Sequence, residues 1–522
     1  TPDSLMAFDA SITDASGTTP DDAPHPIPRY SAHPSTAPRR MTLADLAAQL
    51  VNGLANASTL FLLASGLSLI FGVTRVVNFA HGSLYMLGTY GGVWLTERWT
   101  GPLGFWGAIA VAALGIAVVG VLIETLVLKR IYHAPELFQL LATFAVVLVL
   151  KDLALMAWGA EDIFGPRAPG LDGAVEIFGS PIPTYDLFLI ALGPIVLVAL
   201  QLLLSRTRWG VLVRAAAEDR EMVGALGVNQ AWLFTGVFAL GSLLAGLAGA
   251  LQMPREPASL GLDLVAITDA FVVVVVGGLG SLRGAFYAAL IIGIVKGLCV
   301  ALGTVEVLGT SFNVSKLTLV IEFLLMAATL AVRPFGLLGR PVATNEPARG
   351  VALVVTPGRT FHVGAAVVVA LLACAPFVAD DYLLVLGTDV LVFALFAVSL
   401  HFLMGFGGMV SFGHAAFFGA GAYVAALLMK QAGWTMVAAI VATPFAVALL
   451  GLAVGWFCVR LAGVYLAMLT LAFAQIAWSV VFQWDDVTGG SNGLVGVWPA
   501  AWAAGKREYY WLVLALAAPA VL

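Results

Sequence analysis

The chain has 522 residues, 61% of them hydrophobic and 11% charged, with a net charge of −5 at neutral pH. With a mean hydropathy of +0.98, this composition excludes a water-soluble globule, and the lack of a basic tract argues against nucleic-acid binding. Residues 1–40 stand apart: rich in Pro, Asp, Ser and Thr, they cannot form a core and read as a disordered N-terminal extension. No apolar stretch with a cleavage site marks a signal peptide. The natural start lies either upstream of Thr1 or at Met41, where the membrane pattern begins.

From there, apolar runs of roughly 20 residues recur, each long enough to cross a hydrocarbon core of ~30 Å as a helix. Spans are predicted at 46–70, 77–96, 105–128, 137–158, 187–204, 231–251, 265–282, 284–303 and 316–332. After a polar stretch, six more follow at 361–379, 383–404, 411–429, 434–458, 462–482 and 510–522. The short alternating segments of a membrane β-barrel are absent, so the fold class is an all-α polytopic membrane protein. The cluster Gly277-Gly278-Leu279-Gly280-Ser281 suits a broken or re-entrant pair of helices. Cys299, Cys374 and Cys458 are isolated in apolar runs, lack metal-ligand spacing and read as packing residues.

One motif occurs twice. Asn78-Phe79-Ala80-His81-Gly82 returns as Ser411-Phe412-Gly413-His414-Ala415, and at the same offset of about 333 residues Leu67, Gly72, Gly88 and Tyr90 match Leu400, Gly405, Gly421 and Tyr423. Basic residues give the orientation. Lys129 and Arg130, then Arg206, Arg208, Arg214 and Arg220, then Arg333, Arg340, Arg349 and Arg359, then Arg460, all fall on one side, the cytoplasm. Glu161, Asp162, Asp380, Asp381, Asp485 and Asp486 collect on the other, while Arg39 and Arg40 resist the scheme. Both motif copies then precede outward-running spans. The halves are two parallel homologous bundles forming one translocation path, related by an axis along the membrane normal.

Asn78 and Ser411 sit where helices begin and suit N-caps; His81 and His414 suit interhelical bonds or, as the rival reading, substrate contact. Gly88 and Gly421 suit close helix packing. Asp269, Lys296 and Glu322 lie within spans, where polar groups often serve transport, though each also lies near enough a span end to snorkel. Nothing in the sequence pairs them. The cytoplasmic stretch from Arg214 to Val228 predicts a short surface helix, with Arg214 and Glu218 one turn apart and Ala216, Val223 and Leu226 sharing an apolar face. By composition alone it reads as a solvated connector or as a helix that seats in another protein's groove. No Gly-x-x-x-x-Gly-Lys-Ser/Thr cradle is present, so the chain is not read as an enzyme.

That stretch, with Arg214, Ala216, Glu218, Asp219, Gly224 and Gly227, resembles the coupling loop of permeases of ATP-binding cassette (ABC) importers. Gly66 to Gly82 and Gly277 to Ala285 resemble segments of the LivH-type branched-chain amino acid permease. Val410 to Phe417 and Thr488-Gly489-Gly490-Ser491-Asn492-Gly493-Leu494 resemble the LivM-type partner. The resemblance implies both permeases joined head to tail: a LivH-like domain over 41–332, a cytoplasmic linker over 333–360 and an incomplete LivM-like domain over 361–522. It implies a multi-pass protein of the bacterial inner membrane. Two cytoplasmic ABC ATPase subunits (LivG/LivF-like) would bind ATP and Mg, and a periplasmic or extracellular substrate-binding protein would deliver branched-chain or related hydrophobic amino acids. The chain itself is expected to hold no cofactor or metal. Urea or short amides are the alternative substrates within the family; an ion-coupled secondary transporter is the alternative from another class, and a structural scaffold a third. By the repeat, a second coupling helix belongs near position ~547, so the sequence is expected to be truncated at its C-terminus.

Overall fold

The computed structural model describes residues 42–521 except 100, 133, 135, 308–309 and 340–357. The predicted extension over 1–40, with Arg39 and Arg40, and most of the predicted linker, with Arg340 and Arg349, lie outside the described residues. The first helix, α1 (Leu43–Thr74), opens with a capping box in which Thr42 and Asp45 exchange bonds, and ends at Arg75 in the left-handed region (φ 58°). An extended stretch follows before α2 (Ala80–Thr96). Next come α3 (Pro102–Ile123), which runs through a π-helical turn at Glu124–Leu128 into the short α4 (Lys129–Ile131), and α5 (Glu136–Trp158). A hairpin of β1 (Ala174–Ile177) and β2 (Ser180–Pro183), paired Ala174 to Pro183, leads into α6 (Thr184–Arg206).

Two polar helices, α7 (Arg208–Glu218) and α8 (Arg220–Ala225), precede α9 (Gln230–Gln252). Then follow α10 (Leu262–Gly277), α11 (Leu282–Leu302), a second hairpin of β3 (Thr304–Val307) and β4 (Thr310–Asn313), and α12 (Thr318–Val332). The second half has α13 (Arg359–Val378), α14 (Asp381–His401, ending in a π turn to Phe406), α15 (His414–Lys430), α16 (Met436–Cys458), α17 (Gly463–Gln483), the one-turn α18 (Asp485–Thr488) and α19 (Lys506–Val521).

Each predicted span corresponds to one helix, and eleven helical stretches among the described residues are long and apolar enough to cross a membrane. Three are cut back at the repeated motif or the glycine cluster. α2 and α15 begin at Ala80 and His414 rather than at 77 and 411, and α10 ends at Gly277. At 1.5 Å per residue the 16 residues of α10 cover only about 24 Å. The glycines cause the break: Gly278 and Gly280 adopt positive φ, and Leu337 and Leu338 donate to the freed carbonyls of Val276 and Gly277.

α1 lies at the centre of the first half, wrapped by α6, α9, α10 and α11. Backbones meet where glycines face each other: a Cβ on Gly53 would lie 2.3 Å from the Gly293 carbonyl oxygen. Without a hydrophobic drive inside lipid, such close approach supplies the van der Waals contact that holds helices together. The second half is more open, with a small core of Leu384, Leu391, Tyr510, Leu514 and Ala517 between α14 and α19. Its described residues hold counterparts of α1, α2, α3, α5 and α6, in that order, but none of α9–α12. Cys299 and Cys458 are buried; Cys374 is exposed on α13, so it packs against no core, contrary to expectation.

Candidate functional site at the junction of the two halves

The duplicated motif lies where the halves touch. Phe79 and Phe412, equivalent residues of the two copies, meet edge to face with centroids 5.5 Å apart, and Phe79 also meets Phe271 of α10 at 5.1 Å. α12 packs along α17, and Phe335 meets Tyr465 at 5.9 Å. A small cavity of about 80 Å³ lies beside that seam, lined by Leu330, Pro334, Phe457, Leu461 and Leu469 among others. At the other end of these helices Lys316 pairs with Asp485 at 3.3 Å.

The two copies are built alike below the level of residue identity. Arg75 and Gly408, again 333 apart, both have positive φ (58° and 62°) and both end the incoming helix. His81 Nε2 donates to the Leu63 carbonyl at 3.0 Å. His414 Nε2 lies 2.7 Å from Ser399 Oγ, whose own proton goes to the Phe396 carbonyl, the equivalent of Leu63. Each histidine thus carries its proton on Nε2. Asn78 Oδ1 accepts from the Ala80 N–H two residues on, not three, and α15 starts without a side-chain cap, so Ser411 is not its N-cap. Gly88 abuts Gly246, a Cβ there falling 2.4 Å from the Gly246 oxygen; Gly421 meets nothing closer than Thr443 Cγ2 at 3.6 Å. The packing expected of both glycines is found at one.

Sequence reasoning missed a further repeated pair. Thr143 on α5 lies 3.5 Å from the Val77 carbonyl, and Thr470 on α17 accepts from the Phe412 N–H at 3.1 Å. Both also donate to the carbonyl three residues back, Leu140 and Ala467. Each ties down the extended stretch ahead of its motif helix. The signal was present as Ala142-Thr143-Phe144-Ala145 against Leu469-Thr470-Leu471-Ala472, at an offset of 327 instead of 333.

Asp269, Lys296 and Glu322 are paired with one another, which the sequence did not reveal. Lys296 on α11 bonds Asp269 on α10 at 2.9 Å and Glu322 on α12 at 2.5 Å, clipping three helices together. Outside the membrane core, Arg255 bonds Asp186, Asn52 and Asn56 beside an open polar cavity of about 610 Å³. No group of three or more His, Cys, Asp or Glu side chains that could hold a metal ion occurs among the described residues.

The polar stretch from Arg214 to Val228 is two helices rather than one. The break falls at Asp219 (φ −143°), whose side chain caps α8 by accepting from the Met222 N–H. Ala216 and Val223 face inward, whereas Leu226 is 76% exposed, so the predicted three-residue apolar face does not form. Arg214, Glu218, Asp219, Glu221, Met222 and Gly227 are exposed, and Gly224 abuts the Gln230 side chain.

Nine helices separate α2 from α15, leaving out the polar α7 and α8 and the three-residue α4, so the motif copies run in the same sense. Fold and junction together define a multi-pass helical membrane protein made of two homologous halves. The family of branched-chain amino acid transport system permease components matches residues 49–330 and 382–518. The chain belongs to that family and is a transport permease of the bacterial inner membrane. Over its first half it is similar to the high-affinity branched-chain amino acid transport system permease protein BraD of Pseudomonas aeruginosa, 29% identical over 56% of this chain and 95% of BraD. The corresponding LivH protein of Escherichia coli is 28% identical over 56% of this chain and 95% of LivH. Another region is 30% identical to the Escherichia coli LivM permease protein, over 24% of this chain and 30% of LivM, as in a fusion of the two types. No solved structure matches the chain.

Proposed function

We propose that this chain is the membrane path of an ATP-driven importer for branched-chain or related hydrophobic amino acids. In this reading the two bundles line one route at the Phe79–Phe412 junction. Cytoplasmic ABC ATPases, binding ATP and Mg, dock on α7 and α8, and an external binding protein delivers substrate. The observation that carries it is the exposed surface of α7–α8: Met222 and Leu226 stand 57% and 76% exposed beside Glu218, Asp219 and Glu221. An apolar pair ringed by acids on the cytoplasmic face suits a partner with an apolar groove and a basic rim. The relatives named above are branched-chain amino acid permease proteins, which favours those substrates over urea or short amides. Asp269 and Glu322 are both engaged by Lys296, so neither of these two intramembrane carboxylates is free to couple an ion.

The test is uptake of labelled leucine into vesicles containing this chain, candidate ATPases and a binding protein. Uptake is expected to require ATP and to be unaffected by collapse of ion gradients; the opposite pattern refutes the proposal. Competition by urea or acetamide in place of valine would move the substrate to that class. Glu218→Arg with Gly224→Trp is expected to weaken ATPase co-purification while membrane insertion persists.

A further inference from the structure

Arg220 reaches from the cytoplasmic helices into the body of the first half. It stands at the start of α8, immediately after the capping residue Asp219. Its Nη2 donates to the Thr74 carbonyl at 3.1 Å, and the guanidinium lies over the Phe234 ring of α9 at 5.2 Å. Gln230 fixes the same residue from the backbone side, donating to the Arg220 carbonyl at 2.8 Å. Thr74 is the last residue of α1; beyond it come Arg75 in the left-handed region and the buried stretch Val76, Val77 and Asn78 that leads to Phe79 at the junction. L-residues rarely adopt that conformation, so this corner is kept by its surroundings rather than by local preference.

A second set of contacts anchors the arginine's platform. Phe234 meets Tyr132 edge to face at 5.7 Å, and the Tyr132 hydroxyl donates to Glu124 Oε1 at 3.1 Å. Thr235, next to Phe234, donates to Glu124 Oε2 at 2.7 Å. Glu124 is fully buried and begins the π turn of α3. Such turns cost helix stability and mark places where a side chain must be re-aimed. Here the carboxylate holds both neighbours of the arginine's stacking face. Burial and the nearby Arg75 charge push the Arg220 guanidinium below its ordinary value, which makes the Thr74 carbonyl and the ring face its chief compensation.

We propose that Arg220 is the positioning residue that carries movement of α7–α8 to the Arg75–Phe79 stretch, with Phe234, Tyr132 and Glu124 as its fixed seat. The proposal rests on the ATP-coupled reading above and adds the link by which that coupling reaches the junction. A shift of α8 pulls on the carbonyl at the corner that sets the approach to Phe79, so the cytoplasmic and junction elements move as one unit. Lysine keeps the charge but lacks the planar face and the fork, so it only partly replaces arginine.

The experiment compares wild type, Arg220→Ala and Arg220→Lys in nanodiscs with ATPases and binding protein. Basal ATP hydrolysis, its stimulation by loaded binding protein, and amide hydrogen exchange of the peptide covering 74–80 are measured together. Arg220→Ala, with rates expressed per co-purified ATPase, is expected to lose stimulation relative to its own basal rate by about tenfold or more, as for one charge-assisted hydrogen bond, and to exchange faster over 74–80. Arg220→Lys should fall between. Wild-type uptake that ignores ATP overturns the coupling reading itself. Coupled wild type with unchanged stimulation in Arg220→Ala overturns only the link. If Arg220→Ala is poorly produced, Phe234→Leu serves instead, since it removes the ring face under the guanidinium; full stimulation there also overturns the link.

Discussion

Alanine at Gly88 and at Gly421 should have effects of opposite sign although the two positions are equivalent in the repeat. A Cβ on Gly88 would sit 2.4 Å from the Gly246 oxygen and 2.7 Å from the Gly246 Cα, both backbone atoms of α9. Neither atom can rotate away, so α2 and α9 must part by about 1 Å along the seam, a gap that forfeits a quarter to a half of each contact there. Overpacking of this kind costs about 1–3 kcal/mol, against a helix-propensity gain for alanine of at most about 1 kcal/mol. At Gly421 the nearest atoms, Thr443 Cγ2 and Val447 Cγ2, lie at 3.6 and 3.8 Å, which is ordinary contact. There only the propensity gain remains. Thermal melting of the detergent-solubilised protein, followed by size-exclusion fluorescence, reads both: Gly88→Ala should melt lower than wild type, and Gly421→Ala at or above it. Equal shifts, or a larger loss at Gly421, would refute the assignment of tight packing to one copy alone.

Lys296→Met should lower the melting temperature far more than Glu322→Gln. The first leaves Asp269 and Glu322 facing each other without a cation, a loss of about 3–5 kcal/mol, while the second keeps the Lys296–Asp269 pair; equal losses would discount the clip. Thr470→Val removes the acceptor of the Phe412 N–H, a loss of about 1–3 kcal/mol confined to the approach to α15. Faster amide exchange at Phe412 without a change at Phe79 is the expected signature.

The spans were legible because a lipid-crossing helix writes its length directly as an apolar run, and each predicted run met one helix. The places where the runs misled are the glycine-bounded ones: at Val77 and Ser411 an apolar chain is extended rather than helical, and apolarity alone does not separate those states. The stretch from Arg214 to Val228 was legible as helical, but its break was not. Asp219 reads equally well inside a helix or as the cap that starts a second one, and only its bond to Met222 decides. The Lys296 clip was hidden because its three members lie on three helices whose rotation about their axes no periodicity in such uniformly apolar segments reveals.

The histidines show why a visible repeat need not mean equivalent contacts. Gly66 and Ser399 occupy the same place in the two halves. In the first, a Cβ at Gly66 would meet the Gly241 oxygen of α9 at 2.5 Å and His81 Cε1 at 3.0 Å, so only glycine lets His81 reach the Leu63 carbonyl directly. In the second, no counterpart of α9 stands behind α14 among the described residues, and a serine fills the space and relays His414 to the equivalent carbonyl. The bond from motif helix to preceding helix is the same in both copies; the residue beside it follows from what packs behind. Gly66→Ser therefore cannot convert the first copy into the second, because the Cβ that carries the relaying hydroxyl in one half would meet the α9 backbone in the other.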